Sequence, residues 1–224
     1  MWHIKYNAVS TNLKKEHYMH PKQTTKEMLV TPEITTVPAA EQEKAFSTII
    51  LSFCNDPMAR WSLPDAKGFL TFFPELVRAF AGNAFKDGTA YQIGGFAGVA
   101  IWLAPGSKAN NEALGAIMEK ATPESRKEEA KGIFEQMAQF HLQEPHWYLP
   151  LIGVDPAYQG KGYGSAMMQH ALRACDADGL PAYLESSNPA NIPFYERHGF
   201  VLLGKIHKGS SPTLYPMLRK AMVS

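Results

Sequence analysis

The chain has 224 residues, with 22 Lys and Arg against 21 Asp and Glu and a formal charge of +1. That length suits one domain with a substantial core, and the near-neutral balance offers no broad basic field for nucleic acid or anionic lipid. The two cysteines, Cys54 and Cys175, form neither a disulfide framework nor a metal-ligand spacing, which points to a reducing cytoplasm.

In chain order, residues 1–30 are polar and weakly basic, without helical or strand period. They lack the continuous apolar core of a signal peptide and read as a flexible extension ahead of a domain over residues 31–224, with Met19 or Met28 as alternative starts. Ile34-Thr-Thr-Val37 predicts a first strand, and residues 38–53 a helix with Ala45, Ile49 and Phe53 at helical spacing. A second helical region over 65–85 carries an aromatic face of Phe69, Phe72, Phe73 and Phe80. Strands at 90–93 and 96–103 form a hairpin across Gly94-Gly95. The tract from Ala90 to Pro105 is too short and too broken by glycine to span a bilayer, which needs roughly 20 residues. Helical pattern over 111–142 restarts near Pro123. Then follow a strand over 146–154, a loop, a helix over 162–177, a strand over 181–185, and a short helix over 191–198 closed by Gly199. Two strands near 200–207 and 213–219 end the chain. The strand–helix–strand order over 146–185 predicts a right-handed parallel unit in an otherwise mostly antiparallel sheet.

The most informative run is Leu151-Ile-Gly-Val154-Asp-Pro-Ala-Tyr-Gln159-Gly160-Lys161-Gly162-Tyr163-Gly164-Ser165. Unpaired N–H groups at a helix N-terminus align with the positive end of the helix dipole, and glycine lets them approach a phosphate closely. Three phosphate-binding patterns compete. The P-loop fails because Gly162, not Ser or Thr, follows Lys161. The dinucleotide fingerprint gains support from Glu185, placed where a ribose-binding acid would sit, but it lacks the third glycine. It also fails because Asp155 to Gln159 separate the glycines from the strand end.

The third pattern, [QR]-x-x-G-x-[GA], fits Gln159 to Gly164. Downstream, Asn188-Pro-Ala-Asn191-Ile-Pro-Phe194-Tyr195-Glu-Arg-His-Gly199-Phe200 resembles N-x-x-[AP]-x-x-[FL]-Y-x-x-x-G-F. Together the two runs resemble the signatures of the GNAT superfamily of N-acetyltransferases, over about residues 31–220 and most densely from 146 to 200. Residues 144–149, 158–162 and 184–188 look most like the puromycin N-acetyltransferase branch. The resemblance implies a mixed α/β fold with a mostly antiparallel central sheet, a splayed parallel strand pair and flanking helices. It implies acetyl-CoA as co-substrate, no metal, and transfer by direct attack in a ternary complex to a primary amine, here expected on a small molecule such as an antibiotic or metabolite. A non-catalytic acyl-CoA-binding domain is the alternative. Monomer and homodimer both remain open.

Within that resemblance, main-chain groups of Ile152 and Val154 pair with the pantetheine arm, so the strands at 146–154 and 181–185 must part, with Gly153 easing a bulge. Amides at Gly160, Lys161, Gly162, Tyr163, Gly164 and Ser165, beside Gln159, hold the diphosphate. Lys161 adds charge, and Ser165 caps the helix or touches phosphate. Asn191 and Phe194 contact the coenzyme, with helix capping the rival for Asn191. Tyr195 is either the general acid for the leaving thiolate or a residue packed on the coenzyme. Glu185 is a base, an amine-binding carboxylate, or the cap of the turn at Ser186-Ser187-Asn188. Aromatic residues at 69–80, with His141, His146, Trp147 and Tyr148, form an acceptor pocket or an ordinary core. His198 suits a helix C-terminus without a catalytic part.

Overall fold

The computed structural model describes residues 32–222, so the expected extension over residues 1–30 lies outside the described residues. The strands are β1 Ile34–Thr36, β2 Ala90–Ile93, β3 Gly98–Leu103, β4 Trp147–Val154, β5 Ala182–Ser186, β6 Val201–Leu202 and β7 Tyr215–Arg219. They form one sheet in the order β1-β2-β3-β4-β5-β7-β6, antiparallel throughout except for the parallel pair β4–β5. This is the mixed α/β arrangement that the resemblance implies.

Apolar stripes on the helices decide which face each covers. Helices α1 (Gln42–Ser52) and α3 (Ala66–Ala81) cover one face, packing Ile49, Phe73, Leu76 and Val77 in a core with Val99, Ile101 and Leu151. Helix α7 (Tyr163–Asp178) covers the other, with Met168, Ala171, Leu172 and Cys175 in a core with Ala100, Trp102, Leu149 and Leu184. Each large apolar side chain buried this way contributes about 1.5–3 kcal/mol. Gln169 and Arg173 face solvent as their spacing predicts. Asp176, whose helical spacing places it on the same polar side, binds Arg219 of β7 through two bonds of 2.7 and 2.8 Å.

Helix boundaries differ where the chain must turn. Residues 65–85 divide at Gly82 into α3 and α4 (Ala84–Asp87), because Gly82 adopts a positive φ of 49° with Lys108 O against it. Residues 111–142 divide into α5 (Asn111–Ala121) and α6 (Lys127–Phe140) around Thr122-Pro123. Helix α2 (Pro57–Ser62) was not foreseen, although Asp56 before Pro57 is a cap followed by a proline suited to a first turn. The short helix after β5 is α8 (Ile192–Glu196), and the last hairpin is reduced to β6, β7 and an Ile206–Leu214 bridge.

Two irregularities in β4 position the site. Ile101 pairs with Leu151 but Leu103 pairs with Tyr148, so Trp102 of β3 faces two residues of β4 and the bulge falls at Leu149-Pro150. Pro150 has no N–H to give the ladder, which suits a bulge. The bulge expected at Gly153 is therefore corrected: Gly153 pairs regularly with Val99, and its missing side chain admits Ser52 of α1. On its other edge β4 pairs with β5 only through Trp147–Ala182 and Tyr148–Tyr183. Beyond Tyr148 the strands part, which is the expected splay.

Candidate active site

The Asp155 N–H donates to Ala97 O at 2.9 Å, which fixes the alternation along β3–β4. Leu151 and Gly153 therefore turn their main chains toward β3, whereas Ile152 and Val154 turn theirs into the gap left by β5. Gly153, expected as a coenzyme contact, lines the cavity with its amide directed away from it. Gln159 Nε2 donates to Val154 O at 3.3 Å, tying the loop back to the strand end.

Gly160 and Gly162 adopt positive φ of 77° and 81°, a turn that glycine makes without Cβ strain. Gly162 caps α7 without a side chain, and Ala166 N–H donates to Gly162 O at 3.0 Å. Among the described residues no internal acceptor meets the N–H groups of residues 159–165. A row of free amides at the positive end of a helix of 16 residues is an anion cradle. Lys161 Nζ lies over the Tyr158 ring, 4.6 Å from its centroid. Ser165 Oγ sits 2.9 Å from His198 Nε2, and His198 Nδ1 lies 2.8 Å from Phe194 O. A carbonyl only accepts, so Nδ1 carries a proton and donates to Phe194 O, while Nε2 pairs with the Ser165 hydroxyl. His198 thereby links α8 to the first turn of α7, a role that its place in the sequence does not reveal.

The gap and the loop open into one cavity of about 770 Å³, lined also by Asn191, Phe194 and Tyr195. Asn191 makes no capping bond, which removes the rival reading for it. Tyr195 is 7 % exposed, and burial together with the nearby Asp56 carboxylate raises its pKa. Its phenol therefore stays protonated throughout the physiological range.

Tyr148 donates its hydroxyl to Glu185 Oε2 at 2.9 Å. Glu185 Oε1 and the Tyr183 hydroxyl are buried without a hydrogen-bond partner. Burial and the Glu185 charge raise the pKa values of both tyrosines. The turn after β5 is held by Ser186 Oγ donating to Asn188 O at 2.9 Å and by Ala190 N–H donating to Asn188 Oδ1 at 3.0 Å. Glu185 is thus free of the capping duty weighed for it.

Asp56, Glu185 and Arg197 are the charged residues among the described lining. Neither Asp56 nor Arg197 was singled out from the sequence, because each becomes a site residue only through packing of distant segments. Of the proposed aromatic wall, Phe73, Phe80 and Tyr148 line the cavity, whereas Trp147 lies in the α7 core. His170 packs edge-on against Tyr91, and burial pushes the Cys175 thiol up to about 12, so these two form no nucleophilic pair. Among the described residues, no three His, Cys, Asp or Glu side chains gather as a metal site, and no helix is long and apolar enough to cross a membrane.

Residues 74–200 match the family model described as the acetyltransferase (GNAT) family. An uncharacterised N-acetyltransferase of Schizosaccharomyces pombe is 30% identical over 185 residues, covering 76% of this chain and 75% of that protein. Mycothiol acetyltransferase of Streptomyces scabiei is 31% identical over 120 residues, covering 46% of this chain and 39% of that protein. Among solved structures, one described as histone acetyltransferase HPA2 and related acetyltransferase, from Corynebacterium glutamicum, superposes with a TM-score of 0.62 at 24% identity. That superposition covers 87% of this chain and 98% of the other. Arylalkylamine N-acetyltransferase 2 from Aedes aegypti gives 0.60 at 13%, covering 85% and 99%. With more than half of its length matched by the family model, and a two-signature site at the splayed strands, this chain belongs to the GNAT family of acetyltransferases.

Proposed function

We propose that residues 31–224 form an acetyl-CoA-dependent N-acetyltransferase that acts on the primary amine of a small molecule by direct attack in a ternary complex. The observation that carries this reading is one continuous cavity joining the free amides of residues 159–165, the unpaired edge of β4, Tyr195 and Glu185. The residues present fit the coenzyme: a Cβ at Gly160 or Gly162 would meet nothing within 4 Å, so the amides are open to a diphosphate. Bound acetyl-CoA supplies an acetyl thioester as the acyl donor.

The amides of residues 160–165 hold the diphosphate, with Phe194 and Asn191 beside the coenzyme. Main-chain groups of Ile152 and Val154 hold the pantetheine arm strand-fashion, and an amide there polarises the thioester carbonyl. Glu185 accepts a proton, directly or through water, as the amine becomes nucleophilic, and Tyr195 Oη returns one to the departing sulfur. Burial and the Asp56 charge raise the Tyr195 pKa, which works against transfer to a thiolate whose conjugate acid has a pKa of about 8.5, so the acid role rests on the position of Tyr195 in the cavity. A small acceptor is favoured over a polypeptide because α3, α5 and α6 wall one end of the cavity. The likeness of residues 144–149 and 184–188 to the puromycin N-acetyltransferase branch supports the same choice.

The test is release of free thiol from acetyl-CoA across a broad panel of amines, with the product identified by its mass. Turnover with at least one small amine is expected. Coenzyme binding without thiol release from any amine would replace this reading with that of an acyl-CoA-binding domain.

A further inference from the structure

Asp56 stands at the cavity wall where the coenzyme groove meets its apolar end. The first turn of α2 presents it, with Ala59 N–H donating to Oδ1 at 2.9 Å and the Ser187 hydroxyl donating to Oδ2. Ser187 lies on the loop leaving β5, two residues beyond Glu185, so Asp56 joins the helical wall to the splayed strand. Its charge also acts on the Tyr195 phenol, which puts the two on the same space. Burial raises the Asp56 pKa against the lowering effect of these hydrogen bonds, and a cation beside the carboxylate would relieve that cost.

Beyond Asp56 the cavity is lined by Phe53, Trp61, Phe73, Phe80 and Phe134. Glu185 presents a different face to an incoming molecule. Tyr148 occupies its Oε2, and its Oε1 has no solvent exposure. Asp56, on the wall formed by α2, is the other carboxylate that lines this cavity. Arg197, the one cation of the described lining, is on the turn after α8 beside Asn191 and Phe194, at the coenzyme end.

Building on the transferase reading above, we propose that Asp56, oriented by Ser187, receives the acceptor's ammonium group, and that the acceptor is a primary amine with a bulky apolar or aromatic body seated in the phenylalanine-lined end. Asp56 is then a substrate-binding residue and Ser187 its positioning partner, while Glu185 serves the proton. Apolar bodies leave water for the aromatic wall, and the single charged head is matched by a half-buried carboxylate. A polyamine would place a second charge against phenylalanine with nothing to pair it.

The test compares 2-phenylethylamine and tryptamine with ethanolamine and spermidine by thiol release, using wild type, Asp56→Asn, Ser187→Ala and Glu185→Gln. Asparagine also caps helices, so Asp56→Asn removes the charge while keeping α2. Expected are a kcat/KM at least tenfold higher for the arylalkyl amines and a rise of tenfold or more in amine KM for Asp56→Asn. That variant should leave coenzyme Kd unchanged. Ser187→Ala should raise amine KM by a few-fold, and Glu185→Gln should act on kcat. An unchanged amine KM in Asp56→Asn, a KM effect carried by Glu185→Gln instead, or a preference for spermidine would each overturn the assignment while leaving the transferase intact. Absence of turnover with every amine would fell the transferase reading itself, and this inference with it.

Discussion

Replacing Gly162 by alanine separates the folding role of the glycine loop from its binding role. Gly162 has φ of 81°, and a Cβ built there meets nothing within 4 Å, so the substitution meets no steric block inside the protein. Holding alanine in the left-handed region costs about 1–2 kcal/mol. For a chain of this size that lowers Tm by about 2–8 °C, from about 2–4 °C per kcal/mol. The binding cost is larger, because the new methyl group projects from the row of amides that faces the diphosphate. Losing one charge-assisted hydrogen bond costs about 1.5–3 kcal/mol, or about 10- to 150-fold in coenzyme Kd. Gly164 is the control. It lies inside α7 without a positive φ, its Cβ would touch the Phe194 ring at 3.6 Å, and alanine is the better helix former. Calorimetric titration with coenzyme A and thermal melts on both variants measure the two terms. Gly164→Ala should bind within about threefold of wild type. Wild-type affinity in Gly162→Ala, or equal loss in both variants, would refute the amide cradle.

Tyr195→Phe should lower kcat by about 100-fold or more while leaving coenzyme Kd unchanged, measured by steady-state thiol release and titration. Because the phenol's pKa is raised, its deprotonation should produce no alkaline decline in kcat below pH 10, and a decline there that Tyr195→Phe abolishes would contradict the assignment. Asp176→Ala strands the Arg219 guanidinium, 4 % exposed, and should cost about 2–4 kcal/mol in chemical denaturation. Arg219 and the Met222 N–H lower the Asp176 pKa, so its contribution is complete above the ordinary carboxylate value of about 3.9. It fades as pH falls through the lower folded value, and Asp176→Asn should lose less stability than wild type over that acidic range. Gly153→Ala drives a Cβ into Ser52 Oγ and puts it 2.7 Å from Ser52 Cβ, an overpacking of about 1–3 kcal/mol. Ser52→Gly, which removes both atoms, should restore much of the Tm, whereas Ser52→Ala should restore less.

The parts legible in the sequence are those whose chemistry is local. Free amides, glycines of positive φ and a following amphipathic helix sit within about a dozen residues, so the cradle at 159–165 could be read from the chain alone. The splay followed from the resemblance, because backbone groups of Ile152 and Val154 can meet a ligand only if β5 is absent beside them, and Tyr195 was placed by the same resemblance. The bulge was misplaced for a local reason too: Gly153 carries the stronger glycine signal, yet Pro150 is the residue that cannot ladder. Helix α2 had a readable signal in Asp56-Pro57, obscured by its length of only six residues.

Contacts between distant segments were not legible. Ser187 meets Asp56 across 131 positions, Ser165 meets His198 across 33, and Arg219 meets Asp176 across 43. No periodicity encodes such pairs, since each depends on how the sheet order brings β5, β7 and the helices together. These long-range bonds fix the two ends of the site. Arg219 anchors the C-terminal end of α7 to β7 and, through a 3.1 Å bond to His198 O, the turn after α8. His198 in turn reaches Ser165 in the first turn of α7. The helix that offers its amides is thus held at both ends by one connected set of bonds. The proposed acceptor wall is joined to β5 separately, through Asp56 and Ser187. On the proposed reading, the coenzyme half and the acceptor half of the cavity share β4 and β5 but not the bonds that orient them.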